Sequence, residues 1–376
     1  YSACSWRLHP LHRWTPNQAL CLDVEVAKIA MSFLHGHRSP AMARPCRTLK
    51  GHPGGCRAQS EGKPSDKGLS KSAGRTLPAR KLTIDFDHLE AMARSTDARV
   101  LLLSHMRGHL CDMDRLMALC DGLGVTVIED CAHTMGAKWR GVPSGRHGKV
   151  GCYSMQTYKH INAGEGGFIV SDDPQIMARA VLLSGSYMLY GRHRAAPPVE
   201  VFENIRLDVP NVSGRMDNLR AAILRPQLPL LGERVARWAR LYSAMEAGLA
   251  ATPGLSLILR PRAETFVGSS FQFRLPEWSA PRVIALVSRC AARGVEMKWF
   301  GADQPVAFTS RYDHWHYADP EPMPKTDRIL AGLIDMRLPL TFSVADCDLI
   351  ARIIRAEVLA VGQGPEPEAA DLPLSQ

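Results

Sequence analysis

VTVIEDCAHTMGAKWRGVPSGRHGKVGCYSMQTYKHINAGEGGFIVSDD, residues 125–173, decides how the rest of the chain reads. Two apolar runs, 125–128 and 150–155, are too brief for helices, and each ends in polar, chemically capable side chains. Buried parallel strands look like this when they deliver residues to the carboxyl edge of a sheet. The first run delivers Asp130 and His133; the second delivers Ser154 and then Lys159, in a loop ahead of the glycine-rich turn at 164–167. A carboxylate, a hydroxyl and an amine converging on one edge suit a ligand with a basic ring nitrogen, a phosphate and an aldehyde. Gly166 and Gly167 read as backbone devices that permit positive φ and close approach.

Working outward, ARVLLLSH at 98–105 is a strand, and DMDRLMALCDGLG at 112–124 is a helix capped by Asp112 and stopped by Gly122 and Gly124. With the strand at 125–128 they make a βαβ unit, which implies a parallel sheet with helices on its faces. LTIDFDHLEAMAR, from residue 82, places Asp85 or Asp87 as the cap of an earlier helix. Further helices are expected at 174–183, with Pro174 in the first turn, and at 215–224 and 230–249. Beyond Pro253 the pattern changes to strands at 255–259 and 270–275, a helix at 281–293, a strand at 295–299 and a last helix at 344–361. The division expected is therefore an atypical leader at 1–81, an α/β domain at 82–225 with a mainly parallel sheet, a smaller α+β domain at 226–361 and a disordered tail at 362–376.

The 376 residues carry a net charge of +9, with 45% hydrophobic and 22% charged content, ordinary for a soluble globular protein. Residues 1–81 hold 14 Lys and Arg against 4 Asp and Glu, a net of +10, which leaves the other 295 residues at −1. The body is neutral, which argues against a basic groove and a nucleic-acid partner. In the leader only 17–34 could be helical, and the Gly, Ser and Lys rich stretch at 50–81 reads as disordered. A solvated leader, a basic nucleic-acid arm and a truncated or out-of-frame coding segment are the three readings; the first residue being Tyr1 leans toward the last. No window has the apolar length to span a bilayer, no secretory signal is evident, and the ten cysteines follow no metal or disulfide spacing. A cytoplasmic protein without a metal is expected.

Asp130-x-x-His133, Ser154 five residues before Lys159, and KHINAGEGGFIVSDD resemble the DegT/StrS family of fold type I sugar aminotransferases, which depend on pyridoxal phosphate. NVSGRMDNLRAAILRPQL at 211–228 is similar to that family's Asn-x-Arg-Met segment, with its Ala-Ala helix and Gln-Leu pair. SHMRGHLCDMDRL and RLPLTFS fit as well, so the resemblance covers about 82–361; residues 1–81 do not match. His133 stands where the family more often has Gln, and Asn211 and Arg215 are spaced wider than the usual Asn-x-Arg.

The resemblance implies roles. Lys159 would hold the cofactor as a Schiff base and act as general base, Asp130 would keep the pyridine nitrogen protonated, and Ser154 would bind the phosphate. His133 would hydrogen bond the ring hydroxyl. Asn211 and Arg215 would reach the site of the neighbouring subunit of a homodimer. Each residue has a plainer reading: Asp130 can cap the next turn, Ser154 can face a helix, and His133 can be a satisfied core histidine. His105, Arg107, Tyr158 and His160 are candidates for exposed substrate contacts. The implied reaction moves an amino group from glutamate or glutamine to a keto sugar, perhaps nucleotide-linked. A cyclitol ketone is the competing acceptor. A catalytically impaired or regulatory relative is the further alternative, because the family's phosphate-cradling helix and stacking aromatic ring are not found in 1–81.

Overall fold

The computed structural model describes residues 19–22, 48–51, 82–96, 98–305, 311–314 and 322–367, with backbone pairing alone at 19–22 and 48–51. Its strands are β1 (Ala19–Leu22), β2 (Thr48–Gly51), β3 (Val100–Ser104), β4 (Thr126–Asp130), β5 (Lys138–Trp139), β6 (Val142–Pro143), β7 (Val150–Ser154) and β8 (Gly167–Val170). β9 (Ser256–Leu257), β10 (Glu264–Thr265), β11 (Ser270–Arg274), β12 (Lys298–Trp299) and β13 (Leu333–Arg337) follow. The helices are α1 (Phe86–Ser95), α2 (Met113–Leu123), α3 (Pro174–Leu183), α4 (Glu200–Glu203), α5 (Asn218–Leu224), α6 (Leu231–Leu249), α7 (Ala280–Ala292), α8 (Pro324–Leu330) and α9 (Val344–Gln363).

The chain divides into two compact units. Described parts of the first are β1, β2, Ala93–Arg237 and Arg262–Val267; those of the second are residues 82–92, Trp238–Pro261 and residues from Gly268 onward. The division falls inside α6, between Arg237 and Trp238.

A six-stranded sheet in the order β1-β8-β7-β4-β3-β2 carries the first unit. β2, β3, β4 and β7 are mutually parallel, and β8 runs antiparallel to both β7 and β1. β3 reaches β4 through α2, a crossover long enough for parallel pairing, whereas β7 reaches β8 through the loop 155–166 alone. Asp112 caps α2 by accepting from the Arg115 N–H at 3.1 Å, and Gly124 ends it with φ +65. Asp173 caps α3 with Pro174 in its first turn, while Asp85 accepts the Asp87 and His88 N–H groups and caps α1.

Side chains alternate across β7, so Val150 and Cys152 pack on one face with Ile128, Ile169 and the Met177, Ala178 and Val181 stripe of α3. Phe202 stacks on Tyr190 at 4.4 Å and closes that layer. Tyr153 and Met155 face the opposite way, into a core with Cys131, Met135, Ile161 and Leu224. A smaller three-stranded sheet joins β10, β5 and β6 in the same unit.

The second unit holds an antiparallel sheet, β12-β13-β11-β9. Ile258, Phe300, Ile329 and Leu333 form one of its cores with Leu82. Glu357 on α9 accepts from Arg293 and Arg289 of the α7 end at 2.8 and 2.5 Å, which ties the two helices together.

Three expectations change here. Ala19–Leu22 is a strand and not part of a helix over 17–34, and the reading of 1–81 as an unstructured leader does not extend to β1 and β2. ALCL and TLKG are too short to carry a period of their own; both are placed by backbone hydrogen bonds to the open edges that β8 and β3 present. The sequence pattern also gives no sign of β13 or α8, and α9 continues to Gln363, past residue 362 where a tail is expected.

Gly151 sits where β7 passes the loop before it. A Cβ there would stand 2.5 Å from the Gly145 Cα, a contact with backbone that cannot swing aside. Gly151→Ala is expected to lower stability by about 1–3 kcal/mol, measured as a fall in the urea midpoint with unchanged slope.

Candidate active site

The register of the parallel strands brings three polar side chains to one edge. Ser104 at the end of β3 pairs directly with Asp130 at the end of β4, and Ser154 ends β7, the next strand over. All three share the face of Leu102, Ile128 and Cys152. Asp130 is half-buried. Its Oδ2 accepts from the Ser104 hydroxyl at 2.9 Å, its Oδ1 from the Ala132 N–H at 3.1 Å, and its carbonyl from the His105 N–H at 3.2 Å. The turn-capping reading of Asp130 is thus realised on one oxygen. A carboxylate has about four lone-pair positions, so each oxygen keeps one for a ligand. Ser154 Oγ accepts from the Gln156 N–H at 3.3 Å.

Lys159 lies in the loop that joins β7 to β8. Met155 N–H donates to the Gly166 carbonyl at 2.7 Å, Thr157 N–H to Gly164 at 2.9 Å, and Ala163 N–H to Met155 at 3.0 Å, which folds the loop back on itself. Gly164 and Gly166 make the return with φ of +83 and +123, angles that a side chain would strain. Gly167, by contrast, is an ordinary β8 residue opposite Ser154. Gln227 pins the loop from outside, accepting the Asn162 N–H at 3.2 Å and donating to the Asn162 carbonyl at 2.7 Å. Arg234 bridges Gln227 and the His160 carbonyl at 2.9 and 3.2 Å. The half-buried Lys159 Nζ then stands 3.2 Å from His133 Nε2.

One residue the sequence reading passed over organises the far side of the same strand. Glu129, one position before Asp130, points to the opposite face and is fully buried. It accepts the Gly145, His147 and Gly148 N–H groups at 2.8, 2.8 and 2.7 Å and faces His105 Nε2 at 3.0 Å. Burial pushes its carboxyl up, but the His105 hydrogen bond and charge and the Gly148 and Gly145 donors outweigh it and hold the group below its ordinary value. His105 Nε2, Glu129 and the Cys131 sulfur lie within 4.8 Å of one another, a spacing that could hold a metal. The Glu129 oxygens are already engaged, and burial raises the Cys131 thiol well above its usual range, away from the thiolate that ligates metals.

Asn211 and Arg215 gather elsewhere, around the turn at Gly185. Asn211 Oδ1 accepts from the Ser213 N–H at 2.9 Å, and Arg215 donates to the Gly185 carbonyl at 3.1 Å with its guanidinium 5.6 Å over the Tyr187 ring. Hydrogen bonds from Ser213 and Asn211, and then the Arg215 charge, push the Tyr187 phenol below its ordinary value. Of the four expected exposed contacts only Tyr158 is exposed. His105, Arg107 and His160 are buried, because the turn after β3 and the lysine loop fold inward to meet Glu129 and Arg234.

A mainly parallel sheet with one reversed strand, delivering a carboxylate, a hydroxyl and a lysine loop to its edge, defines a fold type I protein. The chain belongs to the DegT/DnrJ/EryC1/StrS aminotransferase family, whose model matches residues 78–355. It is 36% identical over 145 residues to the L-glutamine:scyllo-inosose aminotransferase of Streptomyces griseus, covering 38% of this chain and 33% of that protein. It is 32% identical over 162 residues to the dTDP-3-amino-3,4,6-trideoxy-alpha-D-glucose transaminase of Streptomyces venezuelae, covering 42% of this chain and 39% of that one. The chain thus spans 33% and 39% of the length of these two curated relatives. In fold it is similar to the crystal structure of the aminotransferase TlmJ from Streptoalloteichus hindustanus, with a TM-score of 0.69 at 18% identity over 93% of this chain and 87% of that one.

The donor set fits the family's cofactor: Asp130 keeps free lone pairs and Ser154 offers a hydroxyl at neighbouring strand ends, and Lys159 offers an amine from the loop that follows β7. The family's phosphate-cradling helix and stacking ring belong to the stretch before residue 82, where only β1 and β2 lie within the described residues.

Glu129 yields a test of the scaffold. A carboxyl held below its unfolded value, near 4.5, contributes stability that is present above that value and lost as pH falls through the lower folded one. Glu129→Gln should therefore cost about 2–4 kcal/mol at neutral pH. The gap between wild type and variant should narrow below about pH 4, read from urea midpoints across the pH range.

Proposed function

We propose that the chain is a cytoplasmic, homodimeric, pyridoxal phosphate-dependent aminotransferase that moves an amino group from glutamate or glutamine to a ketone carbon of a sugar. The observation that carries the reading is Lys159 Nζ beside His133 Nε2, in a loop closed onto the strand end next to Asp130. When bound, the cofactor supplies a carbonyl that takes up nitrogen and a ring that withdraws electrons from the donor's α-carbon.

The chain's own groups do the rest. Lys159 Nζ would hold the resting cofactor covalently and, once displaced by the donor's nitrogen, would take the donor's α-proton and pass it to the cofactor's former carbonyl carbon, the acceptor half running the same transfer in reverse. His133 Nε2, 3.2 Å away, orients that amine. Asp130 keeps a proton on the ring nitrogen through the lone pairs that Ser104 and Ala132 leave free. Ser154 Oγ binds the phosphate. Asn211 and Arg215 reach the partner subunit's site, with Arg215 suited to a carboxylate because its fork binds two oxygens at once.

A cyclitol ketone is the second reading for the acceptor, favoured by the 36% identity to a protein named for scyllo-inosose. Keto sugar and cyclitol both present a polyol ketone, so the chemistry at Lys159 is common to them.

The test is a half-reaction. Protein mixed with pyridoxal phosphate and then glutamate or glutamine should convert the coenzyme to its amine form, seen as a shift in its absorption, and borohydride before donor should leave a mass adduct on Lys159. Lys159→Ala should lose the adduct and slow donor conversion by about 10³-fold or more. Adduct formation without conversion would replace the enzyme reading with that of a catalytically impaired relative. Absence of an adduct in the wild type would remove both.

A further inference from the structure

Ser104 is a polar side chain at this edge, beside Asp130. It is half-buried, follows four apolar residues of β3, and makes a hydrogen bond to Asp130 Oδ2 at 2.9 Å. Parallel pairing sets it directly opposite Asp130, so both side chains leave the sheet on the same face. The contact is therefore fixed by the sheet register and not by a loop.

We propose that Ser104 is a positioning residue for Asp130, holding the carboxylate in the plane in which it meets a pyridine nitrogen. The proposal rests on the aminotransferase reading above and deepens it. Two donors fix the carboxylate from two directions: Ala132 N–H on Oδ1 from Asp130's own turn, and the Ser104 hydroxyl on Oδ2 from the neighbouring strand. A carboxylate held by one donor can still rotate about its Cβ–Cγ bond, whose torsional profile is broad. A second donor on the other oxygen removes that freedom. Around this pair, the groups on adjoining elements leave the task to Ser104. Cys152, in register with Asp130 on β7, has its thiol pushed up to about 12 by burial and is neutral. Glu129 and His105 are engaged with each other on the opposite face, and Lys159 stands beside His133.

The experiment compares wild type, Ser104→Ala and Ser104→Thr by spectroscopic titration with pyridoxal phosphate, alongside thermal melts of the cofactor-free proteins. Threonine keeps the hydroxyl and suits a strand. Ser104→Ala should weaken cofactor affinity by about three- to tenfold and shift the absorption of the bound cofactor. Ser104→Thr should restore both, and the melting temperatures of the cofactor-free proteins should agree. Equal affinity and spectrum for Ser104→Ala and wild type would overturn the inference while leaving the proposed function standing. Failure of Ser104→Thr to restore binding, or a matching loss of melting temperature, would reduce Ser104 to a packing role and overturn it as well. A wild type that takes up no pyridoxal phosphate would bring down the proposed function, and this inference with it.

Discussion

A buried negative charge at Glu129 is the constraint on which the first unit depends. A carboxylate with no exposure is costly unless every lone pair is met, and here three backbone N–H groups and His105 meet it. Those donors come from the loop that turns the chain from β6 back into β7 and from the residue after β3. One side chain therefore fixes the approach of β7 to β4 and the turn that follows β3. The strand ends that carry Ser104, Asp130 and Ser154 are aligned as a result.

Alternation across the strand turns this into an arrangement for chemistry. Glu129 and Asp130 are neighbours in sequence but emerge on opposite faces, so one acid is spent on the scaffold and the other is left at the edge with lone pairs to offer. A one-residue slip of β4 would exchange the two roles and bury the wrong carboxylate among the wrong donors. The register itself thus separates structural from chemical charge.

The lysine loop shows a second such separation. Its shape is set by backbone hydrogen bonds, two glycines with positive φ, and the clamp of Gln227 and Arg234, none of which involves the Lys159 amine. The amine is carried on a rigid support and left beside His133. Gln227 explains in physical terms why a Gln-Leu pair 65 residues beyond Asn162 belongs with the lysine: its amide replaces a strand partner for the loop at Asn162.

By itself the sequence determined the elements with a strong period or a cap: the βαβ unit of β3, α2 and β4 with its Asp112 cap, the helices expected at 174–183 and 344–361, and the strands that carry Asp130 and Ser154 toward an edge. Short apolar runs between capping residues and glycines encode those locally. Tertiary structure decided what depends on partners distant in the chain. β1 and β2 exist because sheet edges await them, β5, β6 and β10 because two-residue strands need one another, and His105 and Arg107 are buried because the turn after β3 folds inward. Glu129 and Ser104 carry no local mark either. An acid before an acid and a serine after four apolar residues look ordinary until the register sets one against three backbone donors and the other against Asp130, since only pairing between strands fixes which face each side chain shares.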